Sequence, residues 1–225
     1  MTNLSYTVRR HFHLSMRESF FHTSEPAIDV PRGMSTAVER LQQRPAALHV
    51  LYGHSGVYTG SLLLGCAAGG PLAVIDGATR FNSYTVARIA QALSLPVQPL
   101  LRRTHITRAF TAFQLEAAVT TKLTGFLRTV PCPLVILLGP LHTYYDEQVT
   151  PQESRRSLDR LLGTIRTLTA GNTHVLAADV RVDQPPPGKK ALFATLCGAA
   201  DVVAALGQDG LVIERTSLPP YTGAV

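Results

Sequence analysis

The chain has 225 residues, 45% of them hydrophobic and 16% charged, with 17 Gly and 15 Pro, which suits one α/β domain with a sizeable core and excludes two independent ones. The net charge of +6 comes almost wholly from arginine, because Lys122, Lys189 and Lys190 are the only lysines, and it permits an acidic partner such as nucleic acid. Cys66, Cys132 and Cys197 stand singly among apolar residues, without the spacing of a metal site or a disulfide frame.

Residues 1–31 mix Arg9, Arg10, His11, His13, Arg17 and His22 with Phe12, Phe20 and Phe21, without helical or strand period, and are expected to form an arm or edge element. Residues 32–225 are expected to form the domain. A short helix over Ser35–Gln43, with Ser35 as N-cap, leads to an apolar strand at Leu48–Tyr52. A glycine-bearing turn, Gly53–Gly60, and an apolar helix from Ser61 follow.

Pro71–Asp76 reads as a buried strand ending in a carboxylate, followed by a helix capped at Asn82 or Ser83 with Val86, Ile89, Ala90 and Leu93 on one face. Thr104–Phe110 is the next strand, and Thr111 with Gln114 opens a helix carrying Leu115, Ala118, Val119 and Leu123. Pro133–Leu138 is the most apolar strand. Thr150, Pro151 and Glu153 combine an N-cap, an N1 proline and a capping glutamate ahead of Leu158, Leu161, Leu162, Ile165 and Leu168. Thr173–Ala178 is a further strand, Val180–Lys190 a proline-rich loop, and Leu192–Ala200 a helix. Asp201–Leu206 and Leu211–Arg215, separated by Gly207 to Gly210, form a terminal hairpin. Strands alternating with helices and then a hairpin imply a mostly parallel sheet covered on both faces, with an antiparallel edge.

Strand, glycine turn and helix over Leu48–Gly65 form the layout of a phosphate-binding loop, with Gly53, Gly56, Thr59, Gly60 and Ser61 as its candidate cofactor-binding residues. A working loop needs G-x-x-x-x-G-K-[ST], in which the lysine reaches the terminal phosphates and the hydroxyl holds magnesium. Counted from Gly53, this chain offers Tyr58 for the second glycine, Thr59 for the lysine and Gly60 for the hydroxyl residue. No register supplies the lysine, and Arg80 is the one nearby cation to stand in for it.

The order of these pieces resembles the ATPase core of RecA and RadA type recombinases. The likeness is carried by GHSGVYTGSLLLG at Gly53–Gly65, VIDGATRFNSYTVARIA at Val74–Ala90, RAFTAFQL at Arg108–Leu115 and LVILLGPLHTYYDEQV at Leu134–Val149. The resemblance implies a RecA-like P-loop fold: a mostly parallel sheet flanked by helices, with a C-terminal antiparallel hairpin. It also implies a degenerate site, because Thr59 stands at the lysine position, Leu138 and Gly139 where a magnesium-organising aspartate belongs, and Ala78 where a glutamate activates water. Asp76 is read as a turn carboxylate, Asp146 and Glu147 as solvated loop residues, and Arg155, Arg156, Arg160 and Arg166 as a polar helix face with Arg155 and Asp159 at i, i+4. The loop carrying Arg181, Lys189 and Lys190 takes the place of the family's mobile DNA-contacting loop, so these three are the candidate DNA-binding residues.

The expectation is therefore a cytoplasmic protein that is not an enzyme and takes no cofactor or metal, ATP and magnesium included. It would act as an accessory or structural protein in DNA recombination or repair, with another RecA-like or repair protein as partner and single-stranded DNA or a second copy as further partners. No run of about 18 apolar residues occurs, so no membrane partner is expected. The alternatives are a weak ATPase whose site is completed by a neighbouring subunit, and a regulator that senses nucleotide or phosphate.

Overall fold

The computed structural model describes residues 28–217 except 29, 44 and 55, so the arm expected from Arg9, Arg10 and their neighbours lies outside the described residues. The first helix, α1 (Met34–Arg40), starts one residue earlier than its sequence signal, with Gly33 at the cap in the left-handed region (φ 79°) and Ser35 inside the helix. Met34 and Val38 are its buried positions, and they fix its face against the sheet.

After α1 come β1 (Leu48–Gly53), α2 (Gly56–Ala68), β2 (Leu72–Asp76) and α3 (Ser83–Ala92). The Asn82 side chain caps α3 by accepting from the Tyr84 N–H, which settles the choice between Asn82 and Ser83. A helix that the sequence reading missed, α4 (Val97–Arg102), follows. Its two prolines, Pro96 and Pro99, sit at the cap and in the first turn, where a missing N–H costs nothing.

β3 (Thr104–Arg108) ends two residues before the expected Phe110. The next helix is really three pieces: α5 (Ala112–Ala117), a π-helical stretch over Ala118–Leu123, and α6 (Thr124–Thr129). Thr111 accepts from the Gln114 N–H, while the Gln114 side chain accepts from Phe110, so the expected cap is there and also pins the β3 exit.

β4 (Leu134–Leu138), α7 (Pro151–Ala170), β5 (His174–Val180), α8 (Ala191–Ala199), β6 (Val202–Gly207) and β7 (Gly210–Thr216) complete the order. The α7 capping box is complete: Thr150 accepts from the Glu153 N–H, and Glu153 accepts from the Thr150 N–H at 2.9 Å. On α7 the ion pair is not Arg155 with Asp159 but Arg160 with Glu116 of α5, at 2.6 Å, which ties two helices together.

The seven strands form one sheet in the order β3-β2-β4-β5-β1-β6-β7, parallel except for the β6–β7 hairpin. Alternation along each strand sorts the core into two layers. Leu51, Val74, Ile136 and Leu176 pack with α1 to α4, while Val50, Ile75, Leu137 and Val175 pack with α5 to α8. Cys66 and Cys132 are buried within these layers as small apolar residues.

At the strand entrances two histidines are buried together. His174 Nδ1 accepts from the Ala47 N–H, so its Nε2 carries the proton and donates to Gln43 O at 2.8 Å. His49 Nε2 then donates to His174 Nδ1 at 3.2 Å. His49 is neutral, because burial beside His174 and Arg40 pushes its ring down to about 3.

Candidate functional site

In an open α/β sheet, ligands bind beyond the carboxyl ends of the strands, where neighbouring strands send their helices to opposite faces. Three neighbouring pairs meet that condition, β2 with β3 through α3 and α5 among them. β1 is followed by α2 in one layer and its neighbour β5 by α8 in the other; β2 and β4 stand in the same relation through α3 and α7. The residues that end these strands are Gly53 and His54, Asp179 and Val180, Asp76 to Ala78, and Leu138 and Gly139.

The expected turn Gly53–Gly60 is not a loop. β1 runs to Gly53 and α2 opens at Gly56, leaving only positions 54 and 55 between them, too few to wrap backbone N–H groups around a phosphate. Gly53 owes its identity to the sheet: at φ 158°, a Cβ there would lie 2.3 Å from the Leu206 carbonyl oxygen on β6. His54 Nδ1 accepts from the Gly56 N–H at 3.1 Å, occupying one of the free donors of the helix start. Gly60 lets α2 pack against the hairpin, since a Cβ there would stand 3.1 Å from Leu206 Cδ2. Ser61 is fully buried and donates to Tyr58 O at 2.8 Å. Thr59, half-buried, lines a groove of about 960 Å³ with Gly56, Gly60 and the hairpin turn. The five residues share a helix start, but they do not converge on one point.

Tyr58 occupies the crevice instead. The residue is 7% exposed, and its phenol oxygen lies 3.2 Å from where a Cβ on Gly139 would be. The Val180 N–H and the Asp179 carboxyl are its neighbours, and Asp76 and Arg80 act on it from the next crevice. Burial, reinforced by the Asp179 charge, pushes the phenol up to about 12, so it stays protonated. A side chain read from the sequence as a misfit at a glycine position is the filling of the site.

Asp179, at the end of β5, was not among the sequence candidates. It is 3% exposed and accepts from the Leu141 N–H at 2.8 Å. Burial raises it to about 7, against the pull of the Leu141 and Val180 N–H groups. The signal was available: HVLAAD ends in a carboxylate as LAVID does, and only the second was noticed. Asp76 is fully buried, with Oδ1 accepting from the Arg80 N–H and Oδ2 from the Phe81 N–H, both at 2.9 Å, and Arg108 Nε 3.6 Å away. It is the turn carboxylate that the sequence reading favoured.

Where phosphates would need cations and free N–H groups, the crevices hold a phenol and two carboxylates, with Arg108 already paired to Asp76 at 3.6 Å and Arg80 acting on Tyr58. Among the described residues no group of three or more His, Cys, Asp or Glu stands together to hold a metal ion, and no helix is long and apolar enough to cross a membrane.

The candidate DNA-binding residues separate. Lys189 is a correction: it is 3% exposed, and its ammonium donates to Asp146 O at 2.5 Å, so it braces the loop rather than facing solvent. Arg181 lies over the Tyr52 ring at 5.9 Å, and Lys190 is exposed at the cap of α8. Asp146 and Glu147 are exposed, Asp146 accepting from the Gln148 N–H, as expected of loop residues.

The fold is that of an α/β protein whose described residues form a mostly parallel seven-stranded sheet, with Tyr58, Asp76 and Asp179 buried at its strand exits. No protein-family model matches the chain, and a search of the curated proteins finds no match to it.

Proposed function

We propose that the chain is a non-catalytic relative of the RecA type ATPase core, acting as an accessory or structural subunit in DNA recombination or repair through a protein partner. The observation that carries the reading is Tyr58, whose ring fills the crevice beside Asp179 and Gly139. The short connection from Gly53 to Gly56 and the missing lysine point the same way. Support for a protein partner comes from β3, the outer strand, which pairs with β2 alone among the described strands and has Ile106 41% exposed. A bare strand edge is a surface to which another chain can add a strand.

Steady-state ATP turnover, with and without single-stranded DNA, is the test. Turnover should equal the protein-free blank under both conditions. Turnover above the blank that Asp179→Asn removes would overturn the reading, because it would make the crevice a working site.

A further inference from the structure

An aspartate followed by glycine occurs twice in the chain, as Asp76–Gly77 and as Asp209–Gly210. In such a pair the glycine nitrogen can close a five-membered ring on the aspartate side chain, because glycine has no Cβ to crowd the ring and its backbone reaches the needed conformation freely. The two copies stand in opposite surroundings.

Asp76 is locked. It is fully buried, its two oxygens accept from the Arg80 and Phe81 N–H groups at 2.9 Å, and the Gly77 N–H donates to Leu138 O on β4 at 2.8 Å. Swinging this carboxyl onto the Gly77 nitrogen would break those bonds inside the sheet.

Asp209 is the reverse case. It lies with Gln208 at the tip of the β6–β7 hairpin, both residues are exposed, and its carboxyl has no hydrogen bond or ion pair among the described residues. Gly210 pairs with Gly207 in the last rung of the ladder, the place where a hairpin opens at least cost. Nor does the position accept a residue that would slow ring closure. At φ 121°, a Cβ on Gly210 would lie 2.8 Å from the Arg32 carbonyl oxygen and 3.0 Å from the Arg32 nitrogen. Packing of the hairpin on Arg32 imposes the glycine that leaves Asp209 reactive.

We infer that Asp209–Gly210 is a modification site, at which Asp209 converts to isoaspartate through a succinimide. The Gly210 nitrogen bonds to Asp209 Cγ and gives up its proton, while one carboxyl oxygen leaves as water. Water then adds at the Asp209 main-chain carbonyl carbon, the C–N bond there breaks, and the nitrogen regains a proton. No oxidant, reductant or cofactor is consumed. The main chain now runs through Cβ and Cγ, one carbon longer than before. A hairpin takes its register from its turn, so the added carbon displaces the start of β7. That start is held by the Leu211 N–H donating to Arg32 O at 2.8 Å, and residues 208–210 wall the groove of about 960 Å³ beside Gly56 and Thr59. Conversion loosens both. The site goes beyond the accessory-subunit reading and does not depend on it.

The test is ageing of the full chain at mildly acidic pH, native and in urea, with isoaspartate mapped by mass spectrometry using radical-based fragmentation, for the wild type and Asp209→Glu. In the native wild type, isoaspartate at Asp209 should exceed that at Asp76 by about tenfold or more, because Asp76 reacts only when its turn opens. In urea the two sites should react within about threefold of each other, since the unfolded chain no longer protects either. Asp209→Glu would need a larger ring and should stay unmodified there. Hydrogen exchange at the Leu211 N–H should become faster in the aged wild type and not in aged Asp209→Glu. No isoaspartate at Asp209 in the native chain, or equal amounts at both sites, would overturn the inference. A tenfold excess at Asp209 that persists in urea would overturn it too, because sequence neighbours rather than the fold would then set the difference. Leu211 exchange unchanged by conversion would overturn the displacement of β7. ATP turnover bears on the accessory-subunit reading alone, so the two can fail separately.

Discussion

Gly53→Ala should destabilise the protein by roughly 2 to 6 kcal/mol, the sum of a strained backbone and an overpacked contact. The position has φ 158°, and the added Cβ would meet the Leu206 carbonyl oxygen at 2.3 Å and its carbon at 3.1 Å. Both belong to β6, which pairs with β1 in parallel and carries the hairpin, so neither strand can move without breaking the ladder. A loss of this size is a large part of a typical domain stability of about 5 to 15 kcal/mol. Urea denaturation measures it. A phosphate-loop glycine would instead leave stability nearly unchanged, so a loss under about 1 kcal/mol would contradict the role assigned here.

Asp179→Asn should do the opposite. The carboxyl is raised from an ordinary 3.8 to about 7 by burial. Below the ordinary value both folded and unfolded chains hold the proton, and the group is neutral in its buried place. Between 3.8 and about 7 the unfolded chain releases its proton while the folded one keeps it, so stability falls as pH rises through that window. Above it, the buried charge costs on the order of 4 kcal/mol at about 1.4 kcal/mol per unit. Asparagine keeps an acceptor for the Leu141 N–H and carries no charge, so the variant should gain roughly 2 to 4 kcal/mol at pH 8 and under about 1 kcal/mol at pH 4. Denaturant melts at the two pH values decide it. An equal effect at both would show that packing, not ionisation, sets the difference.

That a buried carboxylate which weakens the fold sits at a sheet-edge crevice is itself a mark of a ligand site or of its remnant, since perturbed groups cluster at such places. Asp179 and Tyr58 both lie buried there, the acid held by the Leu141 N–H and the phenol protonated. Proton exchange near neutral pH is within the reach of Asp179, but phosphate would meet its charge and that of Asp76.

Much of the architecture was legible because it rests on local pattern. The Thr150, Pro151 and Glu153 start of α7 is spelled out in adjacent residues, and β2 and β4 are short apolar runs between turn residues. The Gly207–Gly210 hairpin was visible for the same reason. What escaped depends on contacts between distant segments. Lys189 looked solvated in a proline-rich loop, yet a turn in which its N–H donates to Pro186 O aims the side chain at the Asp146 carbonyl. Tyr58 could be counted as missing a glycine, but its direction into the crevice depends on α2 starting as early as Gly56. The π-helical stretch at Ala118–Leu123, which shares its core layer with α7, has no signature in its composition.

The most direct test of the central claim, that the ligand edge is filled and no longer takes nucleotide, is equilibrium binding of ATP with magnesium by titration calorimetry, on the wild type and Arg80→Ala. The account predicts no heat of binding up to millimolar ATP for either protein. A dissociation constant below about 10 μM, roughly −7 kcal/mol, that Arg80→Ala weakens at least about tenfold would contradict it. Such a result would mean that Tyr58 yields its place and that Arg80 serves as the missing cation.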